Sequence, residues 1–257
     1  MNFILQEKKD RIGIITLNRP EKRNAINSII ITELKAAFSS FEKDPQVKII
    51  ILRANGKVFS AGADLQYLQE LQSNNFDENL KDSNSLKDLF WQIYNLSKVV
   101  IAEVHGHAIA GGCGLMTVCD YAFAVPEAKF GYSEVKIGFI PAIVMVFLLR
   151  KIAEARAKEL LLSAKLITAS RAYEIGLINK IIPASELSVY TEGFASDLAS
   201  SNSASSMGMT KKLISEVQDL AIEDALNLAA ETNAGVRQSA DCKKGIAGFL
   251  NGEEINW

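Results

Sequence analysis

The sequence predicts an α/β fold, and two observations lead to this prediction. Residues 12–17 and 47–52 have the apolar, β-branched composition of buried strands, and apolar residues recur at helical spacing between them. A strand, a helix and another strand in this order favour parallel pairing, with the helix as the crossover connection. The second observation is that residues 184–250 contain three or four helical patterns and no strand pattern. We therefore divide the chain into a core at 1–183 and a helical region at 184–257.

The N-terminal elements are predicted from turn residues and helical spacing. Residues 3–5 and 12–17 are predicted strands, joined by a charged turn at 7–11. Asn24 is the predicted N-cap of the first helix, because its side chain can accept a hydrogen bond from the first turn. The apolar stripe of that helix ends at Phe41, just before an Asp-Pro pair that would stop it.

The next segments alternate between short helices and polar loops. A helix is predicted at 65–71, and the polar composition of 72–85 indicates a mobile surface insertion. A helix at 86–96 then leads into an apolar strand. Further on, apolar residues lie almost all round the helical pattern at 137–152, which predicts a largely buried helix entered at Pro141.

The composition is that of a globular protein without affinity for nucleic acid or membranes. Of the 257 residues, 48% are hydrophobic and 23% are charged, which is enough to bury a sizeable core. The net charge is −2 and the basic residues are scattered, which argues against nucleic-acid binding. The longest apolar run, at 137–149, is too short to span a bilayer, and the N-terminus is charged.

Cysteine and histidine usage predicts neither a disulfide framework nor a metal site. The three cysteines are odd in number and lack the C-x-x-C spacing of thiolate metal sites, which fits the reducing cytoplasm. His105 and His107, the two histidines of the chain, lie two apart on a strand-like segment and so point to opposite faces. Ser60 and Ser133 have no recognisable histidine base, so a serine nucleophile is disfavoured.

Two glycine-containing segments can present backbone N–H groups to a ligand. The first contains Gly106, Gly111 and Gly114 and leads into a buried helix, and the second surrounds Gly62. The first segment completes neither a Walker A motif nor G-x-G-x-x-G, which disfavours a nucleotide cofactor. The alternative that these glycines only allow close helix packing stays open at this point.

Glu134 is the strongest candidate for a catalytic side chain. It stands between the F-G-Y segment at 130–132 and an apolar run. Burial there would raise its pKa toward neutrality, which suits a carboxyl group for proton transfer near pH 7. An anion-binding loop beside such an acid predicts an enzyme.

Four segments together resemble the enoyl-CoA hydratase/isomerase (crotonase) family in order and spacing: F-S-A-G-A-D-L, H-A-I-A-G-G-C-G-L, K-F-G-Y-S-E-V-K-I-G-F-I-P and A-Y-E-I-G-L-I-N-K-I-I-P. The resemblance covers essentially the whole chain. It implies a crotonase-like spiral of ββα units with a helical C-terminal trimerisation region, assembled as a homotrimer or homohexamer. It also implies an acyl-CoA thioester as the substrate and no separate cofactor, because coenzyme A is part of that substrate.

The resemblance also implies roles for individual residues. The backbone N–H groups of Ala61 and Gly111 would form an oxyanion hole for the thioester oxygen, and Glu134 would transfer the proton at C2. The coenzyme A moiety would contact the first loop and residues near it, and an aromatic side chain near the C-terminus would help to close the acyl pocket. These binding residues are Lys22, Arg23, Ala61, Gly62, Ala63, Asp64, Leu65 and the pocket-closing Phe249.

The sequence departs from the two-glutamate members of this family at Gly114, where they carry a second carboxylate that helps to activate water. Three interpretations remain. The S-E-V-K-I-G-F-I-P-A-I segment looks most like hydratases of branched, 3-methylglutaconyl-type enoyl-CoA. A single glutamate also suits a Δ3,Δ2-enoyl-CoA isomerase, and a non-catalytic acyl-CoA-binding or scaffold protein is the third. We expect Gly114→Glu to raise hydration of crotonyl-CoA if the pocket has room.

Overall fold

The computed structural model describes residues 2–257 and confirms the α/β class. The strands are β1 (Ile4–Lys9), β2 (Ile12–Leu17), β3 (Ile49–Ala54), β4 (Val99–Val104), β5 (Ala108–Ile109), β6 (Tyr121–Ala124), β7 (Lys129–Gly131), β8 (Ile167–Thr168) and β9 (Lys180–Ile181). The main sheet has the order β1-β2-β3-β4-β6-β9, and a small second sheet has the order β5-β7-β8. From β2 to β9 all pairs of the main sheet are parallel.

The helices connect and cover these strands. They are α1 (Ser28–Lys43), α2 (Leu65–Leu71), α3 (Phe76–Asn95), α4 (Gly111–Thr117), α5 (Ala142–Lys151), α6 (Glu154–Ser163), α7 (Ala169–Glu174), α8 (Leu187–Ser201), α9 (Ala204–Val217), α10 (Ile222–Val236) and α11 (Ala240–Asn251). Helix α8 packs across β2, β3, β4 and β6, and α1 packs against β1, β2 and α3. Every residue of β2 is buried, as expected for a parallel strand that is covered on both faces.

The parallel arrangement brings the two glycine segments to one edge of the sheet. Strands β3 and β4 are neighbours, and their carboxyl ends therefore lie at the same edge. The loop after β3 leads to Gly62, and the loop after β4 leads to Gly111. Ligands of open parallel sheets bind at this kind of edge, so the topology indicates where a site should lie.

The turn between the first two strands is shorter than predicted. Strand β1 continues through the charged residues to Lys9, which pairs with Ile12, so the turn consists of Asp10 and Arg11 rather than residues 7–11. The prediction was wrong because β1 is an edge strand whose side chains after Ile4 are exposed, so it needs no apolar residues there.

The predicted N-cap at Asn24 was also wrong. Asn27 caps α1, and its side-chain oxygen accepts a hydrogen bond from the Ile30 N–H at 3.0 Å. The Asn24 side chain is buried instead, and its amide donates to the carbonyls of Asn55 and Val58 at 2.8 and 3.1 Å. Asn24 therefore holds the loop after β3 in place and does not begin a helix.

The predicted surface insertion at 72–85 is largely helical. Helix α3 begins at Phe76, because Asn75 and Glu78 form a reciprocal capping box, with hydrogen bonds of 3.0 and 2.9 Å. The buried residues of α3, Leu89, Phe90 and Ile93, all lie in its second half, and α3 packs against α1. This tertiary contact stabilises the helix as a whole, including its polar first turns. The composition of 72–85 alone does not contain this tertiary contact.

Helix α5 begins after Pro141 as predicted, but it is not largely buried. Of its residues, only Val144, Phe147 and Leu148 are buried, while apolar side chains on the other face are exposed. The prediction of a helical C-terminal part is confirmed by α8 to α11. Among residues 2–257 there is no helix with the length and hydrophobicity needed to cross a membrane.

Candidate active site

The loop after β3 folds tightly around Ser60 and Gly62. The buried Ser60 hydroxyl donates to the Asn24 carbonyl at 2.8 Å. Gly62 has a φ of +92°, a conformation that glycine adopts without the steric cost of a Cβ. Its carbonyl accepts a hydrogen bond from the Ile26 N–H at 2.7 Å. These contacts hold the backbone between positions 60 and 64 in one conformation.

Asp64 ends this loop and has a structural task. It caps α2 by accepting from the Gln66 N–H at 3.0 Å, and it pairs with Arg19 at 2.7 Å. Burial is the largest single influence and by itself would raise the pKa of Asp64, but the hydrogen bonds from Arg19 and from the Gln66 N–H, together with the positive charge of Arg19, hold the pKa below its ordinary value. The Asp64 carboxylate is thus occupied, whereas Ala63 and Leu65 are exposed and can contact a ligand.

The second loop ends at Gly111, which is the first residue of α4. Its N–H therefore has no partner inside the helix, and it finds no hydrogen-bond acceptor elsewhere in the described chain. Ala110, just before it, has a φ of +50° and a ψ of −127°, a strained conformation for a residue with a side chain. The Ala110 N–H donates to the Gly131 carbonyl at 2.8 Å, which holds this conformation.

The two loops are in direct contact. The Ile109 N–H donates to the Ser60 carbonyl at 3.0 Å, and a Cβ added to Gly62 would lie 3.2 Å from the Gly111 nitrogen. The Ala61 N–H, however, donates to the Arg23 carbonyl at 3.0 Å. The Gly111 N–H is therefore available to a ligand, whereas the Ala61 N–H would have to exchange the Arg23 carbonyl for one.

Glu134 begins a 3-10 turn, Glu134–Ile137, shortly after β7. Its side chain is half-buried, and its Oε2 atom is fully buried without a hydrogen-bond partner among the described residues. Burial raises the pKa of Glu134 above its ordinary value, although the backbone N–H groups of Ser133 and Glu134 partly oppose this shift. An unpartnered carboxyl oxygen with a raised pKa is suited to accept and return a proton.

Glu134 lies close to the helix that carries Gly111. Burial raises the pKa of the Cys113 thiol to about 11, and the charge on Glu134 contributes to that increase. In addition, Ala110 and Gly131 are joined by the hydrogen bond described above. The fold thus brings the Gly111 amide and the Glu134 carboxylate to one region.

Position 114 has no space for a side chain. A Cβ added to Gly114 would lie 2.8 Å from the Val144 Cβ and 3.1 Å from the Phe90 Cε2 atom. Both side chains are buried. The condition attached to Gly114→Glu, that the pocket has room, is therefore not met, because Val144 and Phe90 occupy the volume that a carboxylate would need.

The residues expected to bind coenzyme A lie in two places. Lys22 and Arg23 are exposed, and the Arg23 carbonyl contacts the first loop through Ala61. Phe249 lies on α11 and is 85% exposed, and a single chain does not cover it. Closure of the acyl pocket by Phe249 thus stays a prediction.

Sequence reasoning missed Val144, Arg19 and Tyr132 as parts of this site. Val144 fills the space beside Gly114, Arg19 neutralises Asp64, and the buried Tyr132 lies two residues before Glu134. Val144, in the first turn of α5, could be recognised as filling the space beside Gly114 only once α4 is known to pack against α5. The other two residues carry no local signal.

Comparison with known proteins identifies the family. The family model described as enoyl-CoA hydratase/isomerase matches residues 7–257. A Thermus thermophilus protein whose name places it among enoyl-CoA hydratases is 39% identical over 247 residues, which are 96% of this chain and 97% of that protein. The crotonyl-CoA hydratase of Syntrophomonas wolfei is 31% identical, with 99% and 97% covered.

Solved structures give the same result for the fold. The crystal structure of an enoyl-CoA hydratase from Shewanella pealeana has a TM-score of 0.94 and 30% identity, covering 99% of this chain and 96% of that one. The predicted crotonase fold is thereby confirmed. The chain belongs to the enoyl-CoA hydratase/isomerase family of enzymes.

Proposed function

We propose that this enzyme binds the thioester oxygen of an acyl-CoA at the Ala61 and Gly111 N–H groups and moves a proton at C2 of the acyl group with Glu134. The observation that carries this proposal is the buried, unpartnered Oε2 atom of Glu134 in the region of the unpaired Gly111 N–H. A base and an oxyanion donor in one place are what the formation of a thioester enolate requires.

The electrostatics of the site favour this chemistry. The negative charge of an enolate develops on the thioester oxygen, where a backbone N–H can stabilise it without reorganisation. The raised pKa of Glu134 brings its protonated and ionised forms closer in free energy at neutral pH. Glu134 can then both remove a proton and return it during one turnover.

The reaction that we propose is hydration of a branched enoyl-CoA of the 3-methylglutaconyl type. A water oxygen bonds to C3 as the C2–C3 double bond breaks, and C2 gains a proton. Glu134 takes a proton from the water and supplies the proton to C2, while the backbone or the carboxylate of the substrate orients the water. The crotonyl-CoA hydratase of Syntrophomonas wolfei, which is 31% identical, supports hydration as the reaction type.

The second candidate is isomerisation of a Δ3-enoyl-CoA to the Δ2 isomer. Val144 and Phe90 fill the position beside Gly114 with apolar groups, which favours chemistry that needs one acid and no activated water. In this reaction, Glu134 removes a proton from C2 and returns it at C4 as the double bond shifts.

A product screen in heavy-oxygen water separates these functions. The substrates are crotonyl-CoA, 3-hexenoyl-CoA and 3-methylglutaconyl-CoA, and mass spectrometry reads the products. Label in the product of 3-methylglutaconyl-CoA is the expected result and identifies hydration, whereas an unlabelled isomer of 3-hexenoyl-CoA identifies isomerisation. Binding of all three without any product would contradict the proposed function and favour a non-catalytic acyl-CoA-binding or scaffold protein.

We further propose that the coenzyme A moiety lies along the backbone of residues 61–65, with Lys22 and Arg23 near its phosphates. Both basic side chains are exposed beside this loop. Phosphate groups attract such cations at short range, particularly at low ionic strength. The free cysteines also favour the reducing cytoplasm as the location of the enzyme.

The C-terminal region at 184–257 is proposed to form contacts between copies in a homotrimer or homohexamer. Helices α10 and α11 expose an apolar set that one chain leaves uncovered, namely Ile222, Leu226, Ile246, Phe249 and Leu250. Apolar patches of this kind commonly mark protein contacts. Light scattering after size-exclusion chromatography tests this assembly, and a monomer at micromolar concentration would contradict it.

A further inference from the structure

Tyr132 connects the turn that carries Glu134 to the helix that carries Gly111. Its side chain is fully buried, two residues before Glu134 in the chain. Its hydroxyl lies 2.9 Å from the Thr117 Oγ1 atom, and Thr117 is the last residue of α4. This hydrogen bond thus joins the residue that follows β7 to the C-terminal end of α4.

The direction of this hydrogen bond follows from the next one. The Thr117 hydroxyl donates its single proton to the Cys113 carbonyl at 2.8 Å. Its oxygen must therefore accept, and the Tyr132 hydroxyl must donate. Burial raises the pKa of Tyr132 well above its ordinary value, so its hydroxyl keeps its proton near neutral pH.

The other end of α4 is attached to the same strand. The Ala110 N–H, one residue before Gly111, donates to the Gly131 carbonyl at 2.8 Å. Ala110 is in a strained conformation, which such contacts must hold. Gly131 and Tyr132 are neighbours, so β7 and the residue after it hold both ends of the seven-residue helix α4.

We infer that Tyr132 is a positioning residue that keeps the Gly111 amide and the Glu134 carboxylate in register through its hydrogen bond to Thr117. This inference rests on the proposed function. Without the Tyr132 bond, α4 is still held by the Ala110 contact, by packing against α5 and by Lys151, whose Nζ donates to the Thr117 carbonyl at 3.0 Å. Its last residue has lost, however, the hydrogen bond to the segment that carries Glu134. The distance between base and oxyanion donor would then vary, and small displacements of catalytic groups reduce rates strongly.

The test uses Tyr132→Phe, which removes only the hydroxyl and leaves the Thr117 bond to Cys113 possible. The probe is butyryl-CoA in heavy water, because a saturated acyl group can exchange its C2 proton but can be neither hydrated nor isomerised. We expect exchange to slow about tenfold, equivalent to about 1.4 kcal/mol, with the affinity for butyryl-CoA within about twofold of the unaltered enzyme.

Matched variants separate positioning from general destabilisation. Tyr190 lies on α8, outside the site, and its hydroxyl accepts a hydrogen bond from the Lys180 Nζ at 3.1 Å. Tyr190→Phe removes this hydroxyl and should leave the rate of C2 proton exchange unchanged. Thr117→Ser keeps the accepting hydroxyl and should retain the rate, whereas Thr117→Val should slow exchange as Tyr132→Phe does. The affinity readout matters because a merely structural role would lower binding and exchange together.

Two results would overturn the inference, and a third concerns the proposed function. Exchange by Tyr132→Phe at the unaltered rate, or equal losses of exchange and affinity, would remove Tyr132 as a positioning residue. If the unaltered enzyme binds butyryl-CoA but never exchanges its proton, the proposed function fails. In that case, backbone amide hydrogen exchange of residues 110–118 tests whether Tyr132 holds α4 in place. Equal protection of these amides in the unaltered protein and in Tyr132→Phe overturns the inference, whereas faster amide exchange in Tyr132→Phe supports it.

Discussion

Gly114→Ala is predicted to destabilise the protein, although alanine is the better helix former. The added Cβ would lie 2.8 Å from the Val144 Cβ and 3.1 Å from the Phe90 Cε2 atom. Non-bonded carbon atoms prefer a separation of about 3.5–4.0 Å, so Val144 has to withdraw by roughly 1 Å or α4 has to move. Both side chains are buried, and neither can retreat into solvent.

The magnitude is the difference between two effects. Overpacking of a close-packed core costs about 1–3 kcal/mol, and the change from glycine to alanine in a helix returns about 1 kcal/mol. Because the added Cβ would lie only 2.8 Å from a buried Cβ, the upper part of this range, about 2–3 kcal/mol, applies, and the expected net loss in the free energy of unfolding is about 1–2 kcal/mol. Such a loss is readily measured against a total stability of about 5–15 kcal/mol.

Urea unfolding at one fixed protein concentration is the assay, because oligomer contacts make stability depend on concentration. Gly193→Ala is the matched control. Gly193 lies inside α8, and a Cβ added there meets no atom within 4 Å. Its replacement should stabilise the protein by up to about 1 kcal/mol, opposite in sign to the effect at Gly114.

A double variant isolates the contact. Val144→Ala opens the space, so Gly114→Ala together with Val144→Ala should lose at least about 1 kcal/mol less than the sum of the two single losses. Additivity within about 0.5 kcal/mol would refute the reasoning, since residues in contact must couple. An unaltered stability of Gly114→Ala would refute it as well.

The same contact determines the outcome of Gly114→Glu. The larger side chain would overpack the core and bury a carboxylate without a partner, which adds a further penalty of several kcal/mol. We therefore expect the single variant to lose folded protein and not to gain hydration. The double variant Gly114→Glu with Val144→Gly provides that space. We expect it to form more labelled product from crotonyl-CoA in heavy-oxygen water than Gly114→Glu alone.

Four further predictions concern individual interactions. Glu134→Gln should abolish turnover of the substrate while its affinity, measured by calorimetry, changes little, because the oxyanion donors are backbone groups. Burial raises the pKa of Glu134 from an ordinary 4.5, so its contribution to stability is complete below pH 4.5 and is lost as the pH rises through the raised pKa. Urea unfolding should therefore show the free energy of unfolding of the unaltered protein falling relative to that of Glu134→Gln as the pH rises through this range. Arg19→Ala leaves the Asp64 carboxylate buried without its partner and should lower the free energy of unfolding by about 3–5 kcal/mol, whereas the further change Asp64→Ala should recover part of it. Asn75→Ala removes the N-cap of α3 and should cost about 1 kcal/mol in thermal unfolding.

Local structure was predictable wherever one physical signal dominates. The apolar run at 47–52 indicated β3 because both faces of that strand are covered. The helix predicted at 65–71 agrees with α2, since Asp64 caps it from the adjacent position. Helix α3 was missed over its first turns because its polar exposed face resembles a loop in composition. Asn24 was misassigned because its hydrogen-bond partners lie 31 and 34 residues away.

The sequence by itself determined the fold class, the family and the residue types at the site, because glycine loops, buried strands and an isolated acid each leave a pattern over neighbouring residues. Only the tertiary structure decided that the Ala61 N–H is held by the Arg23 carbonyl, that Val144 occupies the space beside Gly114, and that the Tyr132 hydroxyl is hydrogen-bonded to Thr117. These facts are contacts between residues distant along the chain. Their energies depend on separations of a few tenths of an ångström, which the order of residues does not encode locally.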